Sequence, residues 1–188
     1  MNVDFTTPED ELWEEFNQPA TLPARRVEIL YSFGQREAWN FTSKEPMKYW
    51  MPALEMAREN QLVREWVEVT EVITREYIMN QHEYELAIEM ANEGLGLIPE
   101  LAFDQEDRIS QAHLTWGKAV AYDNLEKYSE ALAFFNLGSR MYANVGNDVL
   151  ANVLSSASAF IHTQLDEHDE AENMLPAIRE FFIQKEDL

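Results

Sequence analysis

An all-α fold built from repeated helix pairs is what this sequence predicts, and three observations predict it. Strand signals are nearly absent, because no alternating β-branched run occurs and apolar residues recur at spacings of three and four. Tyr84, Ala87, Ile88 and Ala91 share one helical face, as do Val149, Val153, Ala157, Phe160 and Ile161. Second, three stretches superpose without a gap: HEYELAIEMANEGLGLI (82–98), EKYSEALAFFNLGSRMY (126–142) and DEHDEAENMLPAIREFF (166–182). Third, small residues recur inside the helices. Gly94 and Gly138 occupy one position of the repeat, although glycine costs about 1 kcal/mol relative to alanine there. That residue type suits a point where two helix axes approach closely.

The elements run in order along the chain. An acidic N-terminal segment with its linker, 1–23, holds a short helix expected to be capped by Thr7 before Pro8. Residues 24–188 read as one helical domain. Its first pair runs over about 24–41 and about 45–59, the second helix starting after Thr42, Ser43 and Pro46. LEMAREN (54–60) matches IEMANEG (88–94), so Trp50 aligns with Tyr84 and Ala53 with Ala87. The second pair covers about 61–80 and 83–98, and PELAFDQED (99–107) leads to the third, about 107–125 and 127–143. Gly146, Asn147 and Asp148 start the fourth, about 148–166 and 168–184. The first helices also match: LTWGKAVAYDNL (114–125) aligns with LSSASAFIHTQL (154–165). Each pair would bury its apolar face only against its neighbours, which makes stability cooperative along the array.

These residues resemble the tetratricopeptide repeat. The family's small residue, tyrosine, aromatic, alanine, aromatic and small residue appear as Ala119, Tyr122, Tyr128, Ala131, Phe135 and Gly138. Residues 68–99 supply Ile78, Tyr84, Ala87, Gly94 and the helix-ending Pro99, and residues 152–182 supply Ala159, His162, His168, Ala171 and Leu175. Arg75 stands where a small residue belongs, and Ile178 replaces the last small one. Ala53, Ala87, Ala131 and Ala171 are 34, 44 and 40 apart, the last two spacings longer than the family's repeat of about 34 residues. Such spacing is similar to variants in bacterial regulators and sensors that bind peptides.

The resemblance implies a right-handed superhelical α-solenoid of about four pairs, with ligands in a concave groove lined by the first helix of each pair. Carried over, the groove positions are Val69, Val72, Glu76, Met79 and Asn80, then His113, Trp116, Val120, Asp123 and Asn124, then Val153, Ser156, Phe160, Thr163 and Gln164. Of these, Val72, Asn80, His113, Trp116, Val120, Asn124, Phe160 and Gln164 are the candidate ligand contacts. The last position is always a carboxamide: Asn80, Asn124, Gln164. It either pairs with the backbone of an extended peptide or simply ends the helix. Trp116, Val120 and Phe160 would supply apolar pockets. The basic groove that clamps a chain terminus in some relatives is missing, which leaves a basic or apolar peptide.

Charge and motifs bound the rest. The net charge is −21, with 35 acids against 14 lysines and arginines. That argues against direct nucleic-acid binding and permits a basic partner. There are no cysteines, the first residues carry no signal-like apolar region, and no run approaches a membrane span, so the expected location is the cytoplasm. GLGLIP (94–99) follows a helix and lacks the Lys and Ser/Thr of a phosphate loop, and no G-x-S-x-G occurs. No catalysis and no cofactor are expected. DEHDEAE (166–172) gathers acids around His168, but that histidine fills an aromatic repeat position and the acids suit a helix N-terminus, so capping is preferred to a metal. His113 and His162 lack ligand spacing, and His82 reads as a turn residue.

Two further surfaces stand out. Phe5, Leu12, Trp13 and Phe16 form an aromatic motif on an acidic segment, which either docks on a basic partner or caps the first pair. Ile178, Phe181, Phe182 and Ile183 leave an apolar end through which a homodimer could form. The expected function is therefore a non-catalytic protein- or peptide-binding adaptor. The alternative is an acidic inhibitor or nucleic-acid mimic that blocks a basic site on a partner.

Overall fold

The computed structural model describes Met1, residues 4–39 and residues 45–186. Among these residues there is no strand. The described residues form nine α-helices: α1 (Glu9–Asn17), α2 (Pro23–Trp39), α3 (Met47–Glu59), α4 (Val63–Glu76), α5 (Tyr84–Leu97), α6 (Gln105–Asn124), α7 (Tyr128–Asn144), α8 (Asp148–Gln164) and α9 (His168–Glu186). A π-turn, Tyr77–Gln81, extends α4, and a 3₁₀ turn, Ile98–Glu100, comes after α5. The helices expected from periodicity are present, with ends displaced by a few residues. Thr42 and Ser43, expected before α3, lie outside the described residues. The chain divides into two compact units, Met1–Ile73 and Thr74–Leu188.

In the first unit, α1 packs on α2 and α2 on α3. Leu12, Ile29 and Phe33 are buried together, ringed by Trp13, Phe16 and Tyr49. The Trp13 ring stacks on Phe33 with centroids 4.7 Å apart. Polar contacts hold the acidic segment down. Glu15 takes a bidentate pair from Arg25 at 2.8 and 2.9 Å, which lowers the Glu15 carboxyl pKa and raises that of Arg25. Arg36 donates to the backbone carbonyls of Asp4 and Thr7. Thr7 does not cap α1. Pro8 occupies the cap position without a side-chain bond, and Thr7 instead joins a turn in which the Thr6 and Thr7 N–H groups each donate to Asp4 Oδ1 at 2.9 Å. A tight turn organised by Asp4 thus replaces the expected cap.

In the second unit each helix from α5 to α9 packs on the next. The turns are built alike. After α6 the Lys127 N–H reaches the Tyr122 carbonyl, and after α8 the Glu167 N–H reaches the His162 carbonyl, each at 2.9 Å and five residues back. The residue before the donor is left-handed in both: Glu126 (φ 56°) and Asp166 (φ 60°). This is the helix-ending motif in which one left-handed residue lets two N–H groups satisfy the last carbonyls. After the π-turn the same bond runs six residues back, from Glu83 N–H to the Tyr77 carbonyl, across His82 (φ 58°). The π-turn has inserted one residue.

That insertion corrects the repeat register. Tyr77, not Ile78, is the counterpart of Tyr122 and His162. Nine residues before the aromatic position stand Ala119 and Ala159, whereas the extra residue puts Thr74, not Arg75, at their place. Burial agrees: Thr74, Ala119 and Ala159 are buried, and Val69, Leu114 and Leu154 align as buried apolar residues. The small residue that the repeat lacked is present one position earlier.

Small residues mark the close approaches. A methyl on Gly117 would lie 2.7 Å from Thr74 Cγ2, and one on Gly138 2.6 Å from Leu154 Cδ2. At Gly34 it would enter the indole of Trp50, 2.6 Å from Cε2, and a rigid ring cannot yield as a leucine end can. Around Gly96 nothing lies within 4 Å. Gly34→Ala is therefore expected to destabilise the protein by about 1–3 kcal/mol. Gly96→Ala should stabilise it by about 0.5–1 kcal/mol. Urea denaturation of the two variants checks both signs.

Candidate functional site

The candidate face is built by α6 and α8. A capping box starts α6: Asp107 N–H donates to Asp104 Oδ1, and Asp104 N–H to Asp107 Oδ2, both at 3.0 Å. Asn147 caps α8, its Oδ1 accepting from Leu150 N–H at 3.1 Å. Both helices border one core of Ala112, Ala119, Phe135, Tyr142, Leu154 and Ile161. Burying those residues fixes the rotation of each helix and so decides which residues are left facing water.

On α6 the remaining face carries His113, Trp116, Val120 and Asp123, at intervals of three and four. Trp116 and Val120 are half-buried against the core, and the His113 ring lies 5.7 Å from that of buried Tyr142. On α8 the corresponding face carries Val149, Val153, Ser156 and Phe160, again at three and four. Val149, Val153 and Phe160 are 47%, 41% and 56% exposed. From 149 to 165 there is no Asp, Glu, Lys or Arg, in a chain that is 26% charged. Val149 was not among the expected contacts. The uncharged run is the sequence signal that could have found it.

The second pair contributes differently from expectation. Val72 is 1% exposed and cannot contact a ligand; in the corrected register it matches buried Gly117. Val69 and Glu76 are buried as well. The residues that match Trp116 and Val120 are Glu71 and Arg75, so the apolar stripe belongs to α6 and α8 alone. The carboxamides are also occupied. Asn80 Nδ2 donates to Glu76 Oε2 at 2.7 Å, and Asn124 Nδ2 to the Val120 carbonyl of its own helix at 2.8 Å. Each bond uses one amide N–H, and Asn80, Asn124 and Gln164 are all exposed.

The N-terminal motif is mostly spent on packing. Leu12 is buried, Trp13 and Phe16 pack around it, and Phe5 is exposed with its ring edge-on to Trp39 at 6.4 Å. At the other end Ile178, Phe181 and Phe182 are half-buried and Ile183 is exposed. His162 Nδ1 lies 2.7 Å from Glu167 Oε2, and exposed His168 lies 4.0 Å from Asp166. Among the described residues no group of three or more His, Cys, Asp or Glu is placed to hold a metal ion, and no helix is long and apolar enough to cross a membrane.

No protein-family model matches this chain, and no curated protein matches it either.

Asp123 is the charged group on the candidate face. It is half-buried in the last turn of α6, and burial pushes its carboxyl pKa up. A negative charge at a helix C-terminus also opposes the helix dipole. Because the folded pKa is raised, stability is full at low pH and is lost as pH rises above about 4, where the unfolded carboxyl ionises. Asp123→Asn should therefore stabilise the free protein at pH 7 by about 0.3–1 kcal/mol, solvent screening included. The gain should vanish near pH 3, as thermal unfolding at the two pH values will show. Leu12→Ala should cost about 2–5 kcal/mol, whereas Phe5→Ala should stay within about 0.5 kcal/mol. Equal effects in chemical denaturation would contradict the packing role of α1.

Proposed function

We propose that this protein is a non-catalytic, tetratricopeptide-like adaptor that binds a peptide segment of a partner along the face of α6 and α8. The observation that carries the reading is the solvent-facing stripe Val149, Val153, Ser156 and Phe160 on a helix whose residues 149–165 carry no Asp, Glu, Lys or Arg. Folding does not account for it. The opposite face of α8 already buries Ala151, Leu154, Ser158 and Ile161. An exposed apolar stripe amid charge is a mark of an interaction surface. Burying one such side chain fully is worth about 1.5–3 kcal/mol, and Phe160 at 56% exposure and half-buried Trp116 would each gain a fraction of that, so a micromolar affinity needs contacts along the whole stripe.

The repeat reading is supported by the recurrence of the left-handed turn at His82, Glu126 and Asp166 and by small residues where the helices approach, Gly117 and Gly138. Helix pairs of this kind present a continuous strip of side chains from successive first helices, a geometry suited to an extended or helical peptide.

The test is affinity purification with quantitative mass spectrometry, using the wild type, Trp116→Ala and Phe160→Ala at low and high salt. Bound proteins should fall at least tenfold with either variant and persist in high salt. Capture that ignores both substitutions and disappears in salt would assign binding to the acidic surface instead and reject this face.

A further inference from the structure

Resting on that reading, we propose that the segment accepted by the α6–α8 face is apolar and carries one lysine or arginine, which pairs with Asp123. Asp123 lies seven residues after Trp116 and three after Val120, so all three share one face of α6. Among the described residues its carboxylate has no hydrogen-bond or ion-pair partner. The neighbouring polar groups are engaged elsewhere. Asn124 donates to the Val120 carbonyl at 2.8 Å, and the Thr163 hydroxyl to the Phe160 carbonyl at 2.6 Å. Nearby cations in the sequence are committed to rings: Lys118 Nζ lies 4.1 Å from the Phe134 ring centroid, and Lys127 Nζ 5.9 Å from that of Tyr122. Helix α8, which borders the same core, and α5, which packs on α6, hold no lysine or arginine.

A half-buried carboxylate at the negative end of a helix is unfavourable in the free protein, and a cation brought by the partner relieves both the burial and the dipole terms. Asparagine or alanine at this position would fold as well or better, so packing does not require the acid. The net charge of −21 selects in the same direction. It repels a second copy of the chain and any polyanion, and it attracts a basic segment. The occupant is thus distinguished from a purely apolar peptide by one cation, and from a polybasic tail by the uncharged stripe of α8 that the rest of it must cover.

The experiment pans a phage-displayed random dodecapeptide library on the full chain, with parallel pans on Asp123→Asn, Trp116→Ala and Phe160→Ala. Enriched peptides should combine apolar residues with a lysine or arginine. Made synthetically, they should bind Asp123→Asn about tenfold more weakly than wild type. Replacing the peptide's cation by norleucine should cost about tenfold on the wild type and little on Asp123→Asn. Enriched peptides that lack a cation, or that bind Asp123→Asn as tightly as wild type while failing on Trp116→Ala, would overturn the partner class and leave the face standing. Peptides that bind Trp116→Ala and Phe160→Ala unchanged, or no enrichment over background, would overturn the face itself and this proposal with it. Phe160 is exposed, so its variant separates lost binding from lost folding.

Discussion

The structure depends on one backbone device, the left-handed residue that ends a helix and returns the chain. It closes α3 at Gln61, α6 at Glu126, α7 at Gly146 and α8 at Asp166, each time with an N–H reaching the carbonyl five residues back. Only Gly146 takes that conformation without steric strain. Each of the others costs on the order of 1–2 kcal/mol. The packing it permits offsets that cost: a turn of fixed length puts Tyr128 at the start of one helix and Ala131 one turn on, at zero exposure. Shorter or longer turns would rotate the following helix and expose its apolar stripe.

That rotation explains the most consequential feature, the π-turn after α4. One extra residue turns a helix by roughly 100° relative to the next segment of the chain. Counting backward from Tyr84 without it places Arg75 and Ile78 at repeat positions that belong to Thr74 and Tyr77. Counting with it restores a small buried residue and a tyrosine. The same residue moves Val72 into the buried row and puts Glu71 and Arg75 at the places that Trp116 and Val120 hold on α6. The apolar stripe ends there because the register does.

Much of this was legible. Apolar spacing alone located the helices, and the superposition of 82–98, 126–142 and 166–182 located the turns, because Ala87, Ala131 and Ala171 are buried for the same reason in each copy. Asn147 was readable as the start of α8 because its cap is a local hydrogen bond. The features that were not legible depended on longer range or on backbone geometry. A π-turn leaves no compositional mark in YIMNQ. Thr7 has the chemistry of a cap, but it stands one residue before the cap position, which Pro8 holds, in a turn whose N–H groups donate to Asp4 Oδ1. Leu12, Trp13 and Phe16 show an amphipathic face without saying whether the chain's own α2 or a partner covers it. The carboxamides at 80 and 124 carry the same ambiguity, since each spends one N–H on its own helix, on Glu76 or on the Val120 carbonyl, and keeps its oxygen exposed.

The acidity and the bare helix belong to one argument. An exposed apolar stripe of three or four residues invites self-association, since a second copy offers the same stripe. Here any such encounter also brings two bodies of charge −21 together, and their repulsion opposes it. Charge of this size opposes closure of the stripe on a copy of itself, although residues 149–165 carry no charge of their own. The same field leaves open the approach of a segment that is apolar enough to cover Val153 and Phe160 and basic enough to be drawn in. A more nearly neutral surface around the same stripe would give up that discrimination, because hydrophobic contact by itself does not distinguish a partner from a copy.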